Sequence, residues 1–467
     1  MFKKQKASIT EGPLFFRITA FAIPIMLTGI LQILYGMADN IVVGQFSGDP
    51  NALGAVGSTT SLNNLIIHLL LGLATGSSVV VAQNFGAERK KEVSRAVHTA
   101  MTVAVIGGIL FLILGFLISR PALELMGTKP ELIDSAELYM KIIMLGVPAS
   151  AIYNYGAAIL RAVGDSKTPL IILSSSGLIN VILNLIFVIL CDMTVDGVAL
   201  ATIISQYISA IAVTAVLFKR SEECYALSPK KYCFDLSLFK KILRFGIPSG
   251  IQSSMFGISN VLLSSTINTF PSAAVKAYTI SMNMDSLTYT VCNSFFGATM
   301  TFAGQNYGAN KPDRVKKSVI YAVIQVIFFG LTVGLAELLF IDEISSLYVE
   351  ATDPSKAMVM HYVRSLGKIL LTTYFLCGIM EVISGALKAI GYSLAPMLIS
   401  LFGICGLRIV WIYCVFPYLG ENMTPAGLLL SYPVTWSTTG IMLFCLLLFA
   451  FYKIKKNSKS ELERVSL

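Results

Sequence analysis

The chain has 467 residues, of which 55% are hydrophobic and 13% charged, with a mean hydropathy of +0.74 and a formal net charge of +9. Soluble proteins carry about 25% charged residues, so the composition excludes a soluble enzyme and defines a polytopic membrane protein. The positive balance needs no nucleic acid as partner, because basic residues gather in the loops that flank membrane spans.

The opening "MFKKQKASITEGPLFF" is basic, then polar, and runs into a full-length apolar stretch, so no cleaved leader is expected. Twelve stretches are long enough to cross about 30 Å of hydrocarbon as helices. They fall near residues 14–44, 53–82, 94–118, 136–160, 168–191, 197–218, 240–268, 274–303, 317–340, 358–387, 394–416 and 426–452. The N-terminus, the even-numbered loops and the C-terminal tail, together with the span ends that flank them, hold 27 of the 35 Lys and Arg residues. Both termini are therefore expected on the cytoplasmic side of a cell membrane, a bacterial inner membrane being the expected one. Outside exposure is expected at Asp49, Thr352 and Asn422.

The chain repeats itself. "FAIP" (21–24) returns as "FGIP" (245–248), "AQNFGAERKKEVSRAV" (82–97) as "GQNYGANKPDRVKKSV" (304–319), and "AILRAVGDSKTP" (158–169) as "GALKAIGYSLAP" (385–396). The shifts of 224, 222 and 227 keep register through six spans. Six spans per unit begin and end on one side, which makes the halves parallel repeats. The expected fold is all-α, with twelve transmembrane helices in two pseudo-symmetric six-helix bundles. An amino-terminal lobe (1–220), a cytoplasmic linker (221–236), a second lobe (237–452) and a basic tail (453–467) follow.

Polar residues inside the spans narrow the function. A carboxylate within a membrane helix costs about 2.5–3.5 kcal/mol on insertion scales, yet Asp39 lies in the first span. Gln32, Tyr35 and Asp39 share a helix face, as do Ser176, Asn180 and Asn184 in the fifth span. Thr202, Gln206 and Ser209 form a similar stripe in the sixth. One carboxylate with amide and hydroxyl oxygens suits sodium, and the same carboxylate could instead carry a proton. The alternative is that these groups join helices by hydrogen bonds. Carried into the second repeat, Asp39 lands on Val261, Leu262 and Leu263, Asn180 on Leu407 and Asn184 on Trp411, so the second half is expected to lack the cluster. Pro24 removes a backbone bond from the first span and is a hinge candidate. Asp285, Glu381 and Arg408 are cavity candidates, with Glu337 a further buried acid, and Arg408 is expected to pair with an acid.

The chain resembles the multidrug and toxic compound extrusion family. The resemblance rests on "IPIMLTGILQILYGMADNIVVGQ", "AQNFGA", "LRAVGDSKTP" and "GLINVILN", which match in order and spacing across essentially the whole chain. It implies a secondary antiporter that exports amphipathic compounds in exchange for sodium ions or protons. It also implies that Asp39, Asn180, Asn184 and Thr202 form the cation-coupling site, with Asp39, Asn180 and Asn184 as sodium ligands if sodium is the ion. Asn184 in place of an aspartate resembles the NorM-like bacterial branch. That branch also carries an acid in the seventh span, which "PSGIQSSMFGISNVLLSSTIN" (248–268) lacks. The implied partners are small cationic or neutral organic substrates and the lipid bilayer, with no cofactor beyond the transported ion and a monomeric state. The alternative function is a lipid or lipid-linked glycan flippase of related plan. No HExxH, GxSxG, GxxxxGK[ST] or CxxC occurs, so neither an intramembrane enzyme nor a primary pump is expected.

Overall fold

In the computed structural model, residues 9–46, 52–349, 353–420 and 423–465 are described. Asp49, Thr352 and Asn422 lie outside them. Twelve long helices follow one another, and among the described residues there are no strands. They are α1 (Leu14–Phe46), α2 (Ala52–Gly86), α3 (Lys90–Leu125), α4 (Pro130–Ala162), α5 (Lys167–Leu190) and α6 (Val195–Lys219). The second half supplies α7 (Leu236–Ile267), α8 (Ser272–Gly308), α9 (Pro312–Leu339), α10 (Lys356–Ala389), α11 (Leu394–Tyr418) and α12 (Ser431–Val465). The protein is an all-α membrane protein of twelve helices. The last helix runs on through the basic tail instead of ending near residue 452.

Ten of the spans are apolar and long enough to cross a membrane on composition alone. The other two, α7 and α8, have 32 and 37 residues and a higher density of Ser, Thr and Asn. At 1.5 Å per residue both exceed the thickness of the hydrocarbon. Burial is arranged for lipid and not for water. Leu117 and Ile211 are more than half exposed, whereas Asn184, Asn306, Ser259 and Arg408 are buried. Backbone groups are satisfied within helices, which leaves apolar side chains for the bilayer.

Two compact units are present, Leu27–Ser253 and Met1–Met26 with Ser254–Leu467. They do not follow the chain order of the repeats, because each takes the first part of the other repeat's leading helix. In the first unit, α2 meets the start of α7 through two facing GxxxG pairs. A Cβ on Gly72 would lie 2.1 Å from Gly250 Cα, and one on Gly76 2.2 Å from the carbonyl oxygen of Ile242. Only glycine permits backbones this close. In the second unit, the start of α1 is tied to α8 and α9. Gln325 Nε2 donates to the Phe15 carbonyl at 2.7 Å, Arg314 donates to the carbonyls of Ile9 and Gly12 at 3.2 Å, and the rings of Phe21 and Phe302 meet edge to face.

The "GDSKTP" motif fixes where α5 begins. Gly164 turns the chain at φ +93°, and Gly391 repeats that turn at φ +102° in the second half. Asp165 then accepts from the Thr168 backbone N–H at 3.0 Å and its hydroxyl at 2.7 Å. Arg220, at the end of α6, donates to the same carboxylate at 2.6 Å. The box locks the start of α5 to the end of α6, which sets the register of the polar stripe further along α5.

Candidate functional site

Within the first unit, α1, α5 and α6 bring a continuous polar chain together. Asn184 Nδ2 donates to Asp39 Oδ1 at 2.5 Å and to Asn180 Oδ1 at 3.5 Å. Asn180 Nδ2 donates to Thr202 Oγ1 at 3.4 Å, and the Thr202 hydroxyl donates back to the Val198 carbonyl at 2.9 Å. All four residues named from the sequence therefore meet. The i, i+4 spacing of the two asparagines makes this possible, because it stacks both amides on the α5 face turned to Asp39.

One buried atom of this polar cluster has no hydrogen-bond partner among the described residues. It is Oδ1 of Asn184, which is fully buried. A buried orphan acceptor costs about 1–3 kcal/mol, so it calls for a partner that the fold itself does not supply. With the Asp39 carboxylate, the Asn180 carbonyl and the Thr202 hydroxyl, it completes a set of hard oxygen donors suited to sodium. Among the described residues no group of three His, Cys, Asp or Glu side chains comes together as a metal site.

The supporting residues divide. Tyr35 packs its ring onto α5, where a Cβ on Gly177 would lie 1.9 Å from it, and its hydroxyl donates to the Ser174 carbonyl at 3.2 Å. Gln32 is exposed, and Gln206 turns to α4, where its Oε1 would lie 2.1 Å from a Cβ on Gly146. Ser176 and Ser209 spend their hydroxyls on helix carbonyls. The sequence reading missed Tyr139 of α4, a buried phenol within electrostatic range of Asp39. No periodicity links α4 to α1, so no signal in the sequence marked it.

The second unit corrects two expectations. Arg408 pairs with no acid. Among the described residues no carboxylate lies within ion-pair distance of it, and it is held instead by Ser259 and Asn260 of α7 and by the ring of Tyr432 of α12. The second half, expected to lack a counterpart of the Asp39 cluster, carries a polar cluster of its own on the repeat-equivalent helices. The buried acids lie on other helices. Glu337 accepts from the Thr288 hydroxyl at 2.6 Å, and Asp285 faces Tyr374. Glu381 is buried, as is Lys388, whose ammonium lies 5.1 Å from the centre of the Phe296 ring. Pro24 lies inside an unbroken α1, two residues before the boundary between units at Met26.

A duplicated, twelve-helix membrane body with a single carboxylate set among amides in one repeat defines a protein of the carrier class. The MatE family model matches residues 24–186 and again 248–414. The chain is 26% identical over 448 residues to the probable multidrug resistance protein YoeA of Bacillus subtilis, covering 95% of this chain and 94% of the relative. It is also 26% identical over 431 residues to the probable multidrug resistance protein NorM of Thermotoga maritima, covering 91% and 90%. Crystal structures of a MATE transporter, one in complex with MaL6 and one in a straight conformation, superpose with TM-scores of 0.89 and 0.88 at 22% identity. Each covers 97% of this chain and 100% of the other. The chain belongs to the MatE family of multidrug efflux transporters, which are not enzymes.

Proposed function

We propose that the protein is a secondary antiporter that exports small amphipathic organic compounds, cationic or neutral, against inward movement of a sodium ion or proton at Asp39. The observation that carries this reading is the Asp39–Asn184 contact beside the orphan Asn184 Oδ1. In the present arrangement the amide N–H faces the carboxylate. Half a rotation about the last side-chain bond of Asn184 would exchange N–H for Oδ1, and the two oxygens would then face a common cation. The amide thus serves a bare carboxylate in one state and a bound ion in the other.

Coupling requires a group whose occupancy differs between the inward-open and outward-open forms, since a ligand bound equally by both shifts nothing. One charge moved across 100 mV is worth about 2.3 kcal/mol. The two compact units are the bodies we propose to move, with α1 bending near Pro24, where the carbonyl of Ala20 lacks its helical N–H donor. The basic loops support cytoplasmic termini, and the bacterial relatives support a bacterial inner membrane. The protein is proposed to work as a monomer.

Asp39→Asn keeps the shape and removes the charge. In proteoliposomes it should bind drug normally and lose efflux driven by either an imposed sodium gradient or an imposed pH gradient. Uphill efflux at a near wild-type rate in this variant would overturn the coupling role.

A further inference from the structure

The cluster around Arg408 is built on α7, α11 and α12, the repeat counterparts of α1, α5 and α6. Arg408 Nη1 donates to Ser259 Oγ at 2.9 Å and to Asn260 Oδ1 at 3.0 Å. The Tyr432 hydroxyl donates to the same Asn260 oxygen at 3.3 Å, and the guanidinium carbon lies 4.3 Å from the centre of the Tyr432 ring. The side chain is 1% exposed, and its Nε has no hydrogen-bond partner among the described residues. A charge buried this deeply is costly unless its surroundings are arranged for it. Here two oxygen acceptors and an aromatic face provide a cage for a planar cation.

Register shows what this cage corresponds to. The shift of 224 that carries Pro24 onto Pro248 carries Tyr35 onto Ser259. On α11 the shift of 227 carries Asn180 onto Leu407, but residues 401–406 of that helix form a π-helical turn. A π turn closes i→i+5 and takes up one residue more than an α turn. The residue brought to Asn180's place is therefore Arg408. Each half thus has an oxygen-donor site at equivalent helices, and in the second half the cation is part of the chain.

We infer that Arg408 is a tethered cation that permanently fills the second half's counterpart of the Asp39 site. The protein consequently exchanges one coupling ion per cycle at one site. The cage, relieved of Arg408, is a binding site for free cations of the guanidinium class. The ion count rests on the reading of Asp39 given above, whereas the cage does not.

Two measurements test this on the full chain. Arg408→Ala should lose most drug transport in proteoliposomes and melt at a lower temperature. Millimolar methylguanidinium should restore both, potassium at equal ionic strength should restore neither, and adding Asn260→Ala should abolish the rescue. A folded Arg408→Ala protein that methylguanidinium does not rescue would overturn the inference. The second measurement keeps the question open to test if that variant fails to insert. Isotopic sodium binding and proton release by the wild-type protein should count one site, removed by Asp39→Asn. A second site that survives Asp39→Asn overturns the tethered-cation reading. Methylguanidinium rescue together with a lone site that is indifferent to Asp39→Asn would instead sink the Asp39 reading and, with it, the ion count.

Discussion

The α1–α5–α6 cluster and the α7–α11–α12 cluster begin from one scaffold and end with opposite charge. In the first, a carboxylate heads a hydrogen-bonded chain of two amides and a hydroxyl, and one amide oxygen has no partner among the described residues. In the second, a guanidinium takes up the hydroxyl of Ser259, the amide oxygen of Asn260 and the face of Tyr432. The helix proline and the glycine turn recur between the halves because they set packing. Side chains facing the interior can differ, provided each buried charge finds oxygen or aromatic partners. A site with acceptors to spare can exchange its cation, and a site whose cation is covalently attached cannot.

The sharpest way to break this comparison is at Asn184. Asn184→Ala removes the orphan oxygen proposed to turn to the ion, and a polar contact to a charged group is worth about 1.5–3 kcal/mol. Apparent affinity for the coupling ion should fall by about tenfold or more, read as the ion concentration that half-saturates drug efflux. Leu407→Ala, at the position that the constant shift pairs with Asn180, should leave that concentration unchanged. Equal shifts in both variants would mean that the α5 cluster is packing.

A second prediction separates placement from chemistry. A β-carbon at Gly177 would overlap the ring of Tyr35. Gly177→Val should therefore displace α1 from α5 and cut efflux severalfold, while a protein of normal abundance still inserts. Tyr35→Ala in the same chain should restore part of the rate. Failure of that rescue would remove Tyr35 from the account of how Asp39 is positioned. A smaller effect is expected where the structure assigns only packing. Gly76→Ala faces the backbone of α7, and overpacking of this kind costs about 1–3 kcal/mol. It should lower the melting temperature without changing the ion dependence of any transport that remains.

Much of this was legible in the sequence because it is local or periodic. The spans, the duplication and the asparagine stripe are all properties of spacing along one chain, and the Asp39 set assembled as the stripe required. The exchange of helix starts between units was not legible. It depends on close backbone approach at Gly72, Gly76, Gly246 and Gly250, which lie far apart in the chain. The GxxxG pairs were the available signal. Arg408 was misread for a different reason. A single π turn shifts the register by one residue, so a constant shift brought leucine to a place that arginine fills. The expected acid partner for Arg408 came from depth along the helices, which puts Arg408 and Asp285 in the same half of the membrane. The structure instead uses neutral oxygens and a ring, which depth along a helix does not register.

The smallest expected effect tests the asymmetry from the other side. Trp411 lies at the start of a second π turn in α11, beside Ile412, the residue that the register corrected for the first π turn pairs with Asn184. Its indole Nε1 donates to the Gly427 carbonyl at 3.3 Å, which ties α11 to the turn before α12. Trp411→Phe keeps an aromatic ring and removes only that donor. The cost should be about 0.5–1.5 kcal/mol, the net worth of one ordinary hydrogen bond. It should appear as a modest drop in melting temperature. Efflux rate and ion dependence should match wild type, because no cation exchanges at this position. A change in ion dependence comparable to that of Asn184→Ala would show that the second half also takes part in coupling. The guanidinium of Arg408 would then be a partner of the exchanged ion and not its permanent substitute.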